Sequence, residues 1–389
     1  MHLECKKSAF ALNPDVHYLN GAAYSPALQK SVDIGIQSLR LKSETPYAIR
    51  PEDHFETADR IRRSFAQLIG EQNPQRIALI PSASYGMAVV AKNLPRWPDF
   101  TKKKNIVLIG DEFPNNVYTF ERVCQDEDLE LIIVPRPDDD ENNAEQFNHD
   151  LLDAITDATA LVVASQVHWI YGTLFNLAEI GKRCRQSGAM LVIDATQSAG
   201  AYPLNMSQIQ PDAVICAAYK WLLGPYGTGV ACFGAFFDEG IPLEESWMNR
   251  VESERFAELT RYRRAYRPAA QRYNAGEYSQ FSQLPMLAVA LEQLVEWGAE
   301  NIQAYCRDLC EPWLSGWQDL GCHIEQPGFR AAHLFRLELP GQENYAELAT
   351  QLAERNVHVA VRGNGLRVSP NVYNTREDLA ALTDALSAA

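Results

Sequence analysis

The sequence predicts an α/β protein, a mainly parallel central sheet with helices on both faces, followed by a smaller α+β domain. Three observations predict it. Short apolar runs of strand length alternate with segments of helical period as far as Phe233. Those runs are apolar almost throughout, as strands buried on both faces require. Beyond Phe233 the pattern changes to a polar connection and then to alternating strands mixed with helices. At 389 residues, 46% of them apolar, the chain can bury a large core, and its length suggests two or three lobes. The expected division is an N-terminal segment (1–20), a large domain (21–270), and a connecting helix with a small C-terminal domain (271–389).

In chain order, HYLNGAAYSPAL places a strand-like turn at 18–23 and a helix from near Pro26. TPYAIRPEDH (45–54) reads as an irregular polar loop, and Asp59 to Ile69 has helical period. RIALIPSASYGMAVVAKNL reads as strand, small polar turn and helix, and NIVLIGDEFPNNVYTF as a second strand opening into a turn. LELIIVPRP and ALVVASQVHWIYGTLFNL supply two more strands, with the charged, Asn-rich stretch 138–148 between them as a solvated loop. LVIDATQSAG and AVICAAYKWLLGPYGTG give strands that end at Asp194 and at Ala217. Leu287, Leu291, Leu294 and Val295 repeat at helical spacing. HLFRLEL, NVHVAV and LRVS, with a last helix bearing Leu379, Leu382 and Leu386, complete the small domain.

The formal charge of -15 and pI near 5.0 argue against nucleic acid or an anionic membrane surface as the main partner. The first twenty residues lack the apolar core of a signal peptide, and no stretch is long and apolar enough to span a bilayer, so a cytoplasmic location is expected. Eight cysteines are scattered; Cys306 and Cys310 are close, but no nearby pair completes a zinc site, and small buried apolar residues are expected. No metal site is expected.

The stretch with the most chemistry runs from Leu191 to Gly229. Asp194 and Lys220 fall at the ends of two buried strands and so at the same end of a sheet, where open parallel sheets bind ligands. Either alone has an ordinary reading, the acid as a helix cap and the lysine as a surface residue. Together, with Ala217, Ala218, Tyr219, Trp221 and Leu222 around the amine, they suit a buried nucleophilic lysine facing a buried carboxylate. Pyridoxal phosphate (PLP) chemistry needs that pair: an amine for the Schiff base and an acid to keep the pyridine nitrogen protonated. A dinucleotide site is disfavoured, because GPYGTG precedes a strand instead of following one.

The segment resembles the cofactor site of the class V aminotransferase superfamily, which includes cysteine desulfurases, kynureninases and isopenicillin N epimerases, and the resemblance extends from about Tyr18 to the last helix. It implies the PLP-dependent transferase fold of type I and a homodimer with active sites near the subunit interface. Residue by residue, it implies that Lys220 carries the coenzyme with Tyr219 beside it, that Asp194 pairs with the ring nitrogen, and that Gln197 reaches the phenolic oxygen. Ala83 and Ser84 match the phosphate loop, Phe113 the ring-stacking position, and Trp169 a position by the ring substituents. Tyr278, in RYNAGEY, matches a residue that contacts the partner subunit's phosphate. Arg367 matches the arginine that clamps the substrate's α-carboxylate, with Arg362 as an assistant or an exposed salt-bridge residue. Tyr47 and Arg50 read chiefly as solvated loop residues, and His168 as a hydrogen-bonded structural histidine. Desulfurases carry a nucleophilic cysteine shortly before the clamping arginine; 357–367 has none, and Cys322 lies too far upstream. The expected activity is PLP-dependent turnover of a small α-amino acid, with aminotransfer ahead of carbon-sulfur lysis, epimerisation or kynureninase-like hydrolysis. A scaffold that has lost catalysis is disfavoured by the retention of Asp194, Lys220 and Arg367.

Overall fold

The structure is a computed structural model that describes residues 3–137 and 143–387. After the short strand β1 (His17–Tyr18), the main sheet is built from β2 (Ile77–Ile80), β3 (Asn105–Ile109), β4 (Glu130–Val134), β5 (Thr159–Ser165), β6 (Met190–Asp194), β7 (Ala213–Ala217) and β8 (Gly229–Phe233). Among the described residues it is seven-stranded, in the order β2-β8-β7-β6-β5-β3-β4. From β7 to β4 every pairing is parallel; β8 is antiparallel to both β7 and β2, so it alone of these strands runs against the rest.

Strand periodicity decides where the core goes. Val162, Ala164, Leu191, Ile193, Val214 and Cys216 join one apolar cluster, while Leu161, Val163, Met190, Val192, Ala213 and Ile215 join another on the opposite face. Helices Asp53–Ile69 and Gln283–Trp297 pack on the first face through Phe65, Ile69, Leu287 and Leu291. Helix Ala83–Asn93 covers the second through Met87, Val89 and Val90. Both faces are therefore dry, and the strand ends are left as the open edge.

Three local expectations are corrected. The helix expected from Asp59 begins at Asp53, because Phe55 and Ala58 continue the buried stripe one turn upstream. The helix expected near Pro26 begins at Gln29, after the buried Leu28. Of the expected loop 138–148, residues 138–142 lie outside the described residues; the remainder opens a helix, Asn143–Ala154. Its polar composition masked a one-sided stripe of Ala144, Phe147 and Leu151, all buried.

The C-terminal lobe holds β9 (Phe335–Leu337), β10 (Val357–His358), β11 (Ala360–Val361) and β12 (Leu366–Val368) around a third apolar cluster containing Trp317, Phe335, Leu352 and Leu379. β11, β12 and β9 form an antiparallel sheet in that order. β1 pairs in parallel with β10, Asn20 bridges to Ser369, and Leu19 enters the third cluster, so the first twenty residues are joined to the last forty. Helix Gln283–Trp297, although downstream of residue 270, packs into the large lobe. No helix among the described residues is long and apolar enough to cross a membrane.

Candidate active site

The carboxyl ends of β2, β3, β5, β6 and β7 open onto one cavity, and the residues just beyond each strand line it: Ala83, Phe113, Trp169, Asp194 and Lys220. Gln197 and Tyr219 line it too. One side is the start of helix Ala83–Asn93, where the N-cap Ser82 accepts from the Tyr85 amide at 3.2 Å. The Ser82 and Ser84 hydroxyls are 2.8 Å apart. Ser82 and Ala83 face the cavity, whereas Ser84 reaches it only through this contact, a shift of the expected loop by one turn residue.

Lys220 is 6% exposed. Burial, then the nearby Arg367 charge, lowers its pKa to about 8, against the opposing pull of Asp194. Its Nζ lies 5.4 Å from the centre of the Phe113 ring. Pro114 at the first helical position places Phe113 as an extended cap, so its ring projects from the β3 end instead of joining the helix. Phe113 meets Trp169 edge to face at 5.3 Å, and the Trp169 indole donates to the Asp111 carbonyl at 2.7 Å.

Asp194 is held from two directions. The Thr196 amide donates to Oδ1 at 2.9 Å, and the Asn116 side chain donates to Oδ2 at 3.0 Å. Beside it Glu112 is fully buried, and burial followed by the Asp194 charge raises its pKa to about 8. Glu112 Oε1 accepts from the Phe113 amide at 2.6 Å, while Oε2 has no partner among the described residues. Gln197 accepts from the Trp221 indole at 2.8 Å and donates to the Ala22 carbonyl at 3.2 Å, which leaves one amide hydrogen to spare.

Arg367 is 1% exposed and donates once, to the Trp169 carbonyl at 2.8 Å. Its Nε and Nη2 have no partner among the described residues, and burial, then Arg362, lowers its pKa to about 9. An undersatisfied buried guanidinium at a cavity edge suits an anionic ligand.

Tyr278 lies within the first apolar cluster with the Arg62 guanidinium 5.6 Å over its ring, and its buried hydroxyl has no partner among the described residues. Arg362, read as an exposed salt-bridge residue, is half-buried and forms no ion pair among the described residues. Tyr47 is exposed, and Arg50 pairs with Asp53 at 2.7 Å in the open. His168 is buried and donates from Nε2 to the Gly110 carbonyl at 3.1 Å, its Nδ1 accepting from the Ile170 amide, and burial pulls its pKa down to about 4. Sequence reasoning missed Glu112, Asn116 and Thr228, which line the cavity or hold those that do. The acid and amide flanking Phe113 in DEFPNN were the available signal.

The match to known proteins agrees with this geometry. The sequence model described as "Aminotransferase class-V" matches residues 18–382. The chain belongs to the class-V aminotransferase family. This class-V protein is 28% identical to isopenicillin N epimerase of Streptomyces clavuligerus, over 84% of the chain and 83% of that protein. It is 24% identical to an uncharacterized aminotransferase, YcbU, of Bacillus subtilis, over 87% of the chain and 85% of that protein. Among solved structures its fold is similar to an apo cysteine desulfurase from Thermococcus onnurineus (TM-score 0.80, 18% identity, 99% of this chain and 98% of that one). It is also similar to a C-DES mutant with glycine covalently linked to its PLP cofactor (TM-score 0.81, 17% identity, 98% of this chain and 99% of that one).

The class-V protein is thus a PLP-dependent enzyme, and its cavity fits the coenzyme. Ser82 and the first amides of an 11-residue helix offer donors for a phosphate, and Ser165 Oγ, in the cavity wall, is buried without a partner among the described residues. Gly227, in the turn before β8, has φ +79 and open space where a side chain would stand.

Proposed function

We propose that this enzyme transfers the amino group of a small α-amino acid, with Lys220 as the residue that holds the coenzyme and moves the reacting proton. When bound, PLP supplies an aldehyde that condenses with amines and a ring that withdraws electrons from the α-carbon. The rest is the work of this chain's residues. Phe113 offers a flat face for a flat ligand. Asp194, fixed by Asn116 and Thr196, presents a carboxylate of set orientation to a ring nitrogen. Nζ of Lys220, whose lowered pKa of about 8 leaves roughly a tenth of it as free base near pH 7, would take a proton from the substrate α-carbon and move it to the carbon that the coenzyme supplies as its aldehyde. Arg367 holds the α-carboxylate and so fixes which bond at that carbon faces the ring.

The single observation that carries this reading is the placement of Lys220, buried with a lowered pKa, in one cavity with Asp194 and the Phe113 ring. Among the described residues no cysteine lines the cavity, which counts against a protein persulfide. Cys216, on β7, is buried with Sγ directed at backbone carbonyls, and Cys322 lies in the third apolar cluster.

The test is to mix the purified holoenzyme with amino acids and an added keto acid and to identify products. A new keto acid with amination of the acceptor supports the proposal. Pyruvate with ammonia or sulfide means elimination, and inversion at the α-carbon without either means epimerisation; each overturns aminotransfer. A protein without a visible coenzyme band, or a Lys220→Ala variant that keeps it, overturns the role of Lys220.

A further inference from the structure

Two arginines without a carboxylate partner among the described residues, not one, stand on the β11–β12 hairpin behind Trp169, a residue of the cavity wall. Ala360 lies opposite Arg367 and Val361 opposite Leu366, and the Arg362 amide donates to the Gly365 carbonyl at 3.0 Å. Side chains alternate along a strand, so Arg362 shares a face with Ala360 and therefore with Arg367. The other face, with Leu366 and Val361, packs on the third apolar cluster. Both arginines embrace Trp169, a cavity wall: Arg367 donates to its carbonyl at 2.8 Å, and the Arg362 guanidinium carbon lies 5.8 Å from the centre of its ring.

A third arginine on this face shows what the other two lack. Arg336, opposite Arg367 on β9, is paired with Glu338 at 3.1 Å. Neither Arg362 nor Arg367 has a carboxylate partner among the described residues, and buried nitrogens of both are unsatisfied. Arg362 donates only to its own neighbour, the Val361 carbonyl, at 2.7 Å. Both charges disfavour the Lys220 ammonium, Arg367 more than Arg362. One α-carboxylate satisfies one guanidinium and leaves the second uncompensated in a half-buried setting, an arrangement that costs stability unless an anion arrives.

Resting on the aminotransfer reading above, we infer that the substrate carries a second acidic group on its side chain, held by Arg362 while Arg367 holds the α-carboxylate. The substrate class is then an acidic α-amino acid, with a side-chain carboxylate or sulfinate reaching past Trp169. Tyr219 and the exposed Tyr24 and Tyr226, whose rings cluster at the mouth, add polar hydroxyls and no opposing charge.

The experiment compares isosteres that differ only in that charge. The holoenzyme is titrated with L-glutamate and L-glutamine, and with L-aspartate and L-asparagine, following the visible coenzyme band. Glutarate and butyrate are titrated by calorimetry as unreactive probes. The expected result is tighter binding of each acidic member, on the order of tenfold for one charge-assisted pair. In Arg362→Leu the glutamate dissociation constant rises to that of glutamine, and Arg362→Lys, which keeps the charge, retains part of the preference. Equal affinity of the wild-type enzyme for glutamate and glutamine overturns the inference. So does an Arg362→Leu variant that weakens both amino acids alike, because Arg362 would then serve the α-carboxylate. An enzyme with no coenzyme band fails the broader reading instead, and that failure is seen before any ligand is added.

Discussion

Asn116 donates its side-chain amide to Oδ2 of Asp194 at 3.0 Å across 78 residues of sequence, tying the helix that follows β3 to the end of β6. Thr196 holds the other carboxylate oxygen, so the acid cannot swing away from the ring it is proposed to serve.

Removing that tether separates orientation from charge. Asn116→Ala is expected to lower kcat by about tenfold, the loss of one charge-assisted hydrogen bond of about 1.5 kcal/mol. Asp194→Ala, which removes the charge itself, is expected to cost at least about a hundredfold more. Steady-state kinetics on coenzyme-saturated enzyme checks both, and an Asn116→Ala enzyme as active as wild type would show that Asp194 needs no support.

Lys220 must be unprotonated to attack an aldehyde, and its pKa is lowered to about 8. Coenzyme capture by the apoenzyme should therefore slow by about tenfold per pH unit below that value and level off above it. Arg367→Leu deletes a neighbouring positive charge that disfavours the ammonium, so the break should move to higher pH. Stopped-flow absorbance between pH 6 and 10 measures it; an unmoved break in the variant contradicts the coupling.

Glu112 gives a stability signature. Its pKa is raised to about 8 in the fold, above the 4.5 of a free glutamic acid, so the native state holds a proton that the unfolded chain releases. Stability from this group is full below 4.5 and is lost as pH rises toward 8, then stays flat. Glu112→Gln cannot ionise, so its melting temperature should gain on wild type across that window and no further. Thermal melts at half-unit pH steps decide it, and parallel curves would mean that Glu112 is ionised in the fold.

Gly172 lies three residues after Trp169 with φ +75, and a Cβ there would stand 2.2 Å from the Leu334 carbonyl. Gly172→Ala combines a left-handed backbone with a collision against main chain, and is expected to destabilise by about 2–4 kcal/mol. Denaturant unfolding tests it; a loss below about 0.5 kcal/mol would show that the two lobes part easily at this contact.

The large sheet was legible because its strands are buried on both faces, so that MLVID and AVICA announce themselves as apolar runs of strand length. Asp194 and Lys220 follow directly, since each lies at or just beyond such a run. What escaped depended on residues meeting from afar. Nothing in DEFPNN names Asp194 as the partner of Asn116, and nothing near Tyr278 foretells that Arg62 and its own core enclose it. Arg362 misled for a related reason: a charged residue near a polar turn reads as solvated until β12 and Trp169 are packed against it. Helix Asn143–Ala154 was hidden by its composition, although Phe147 and Leu151 anchor it to the core.

The pairing of His17–Tyr18 with Val357–His358 sets a schedule for biosynthesis. The opening strand leaves the ribosome long before its mate exists, and at about 5–20 residues per second it waits tens of seconds with its edge unclaimed. Arg367 arrives only with that late mate, so a nascent enzyme can own its lysine and its acid while still lacking any grip on a carboxylate. Truncation near the C-terminus should accordingly yield a protein that takes up coenzyme yet ignores amino acids, a half-built catalyst whose colour precedes its competence.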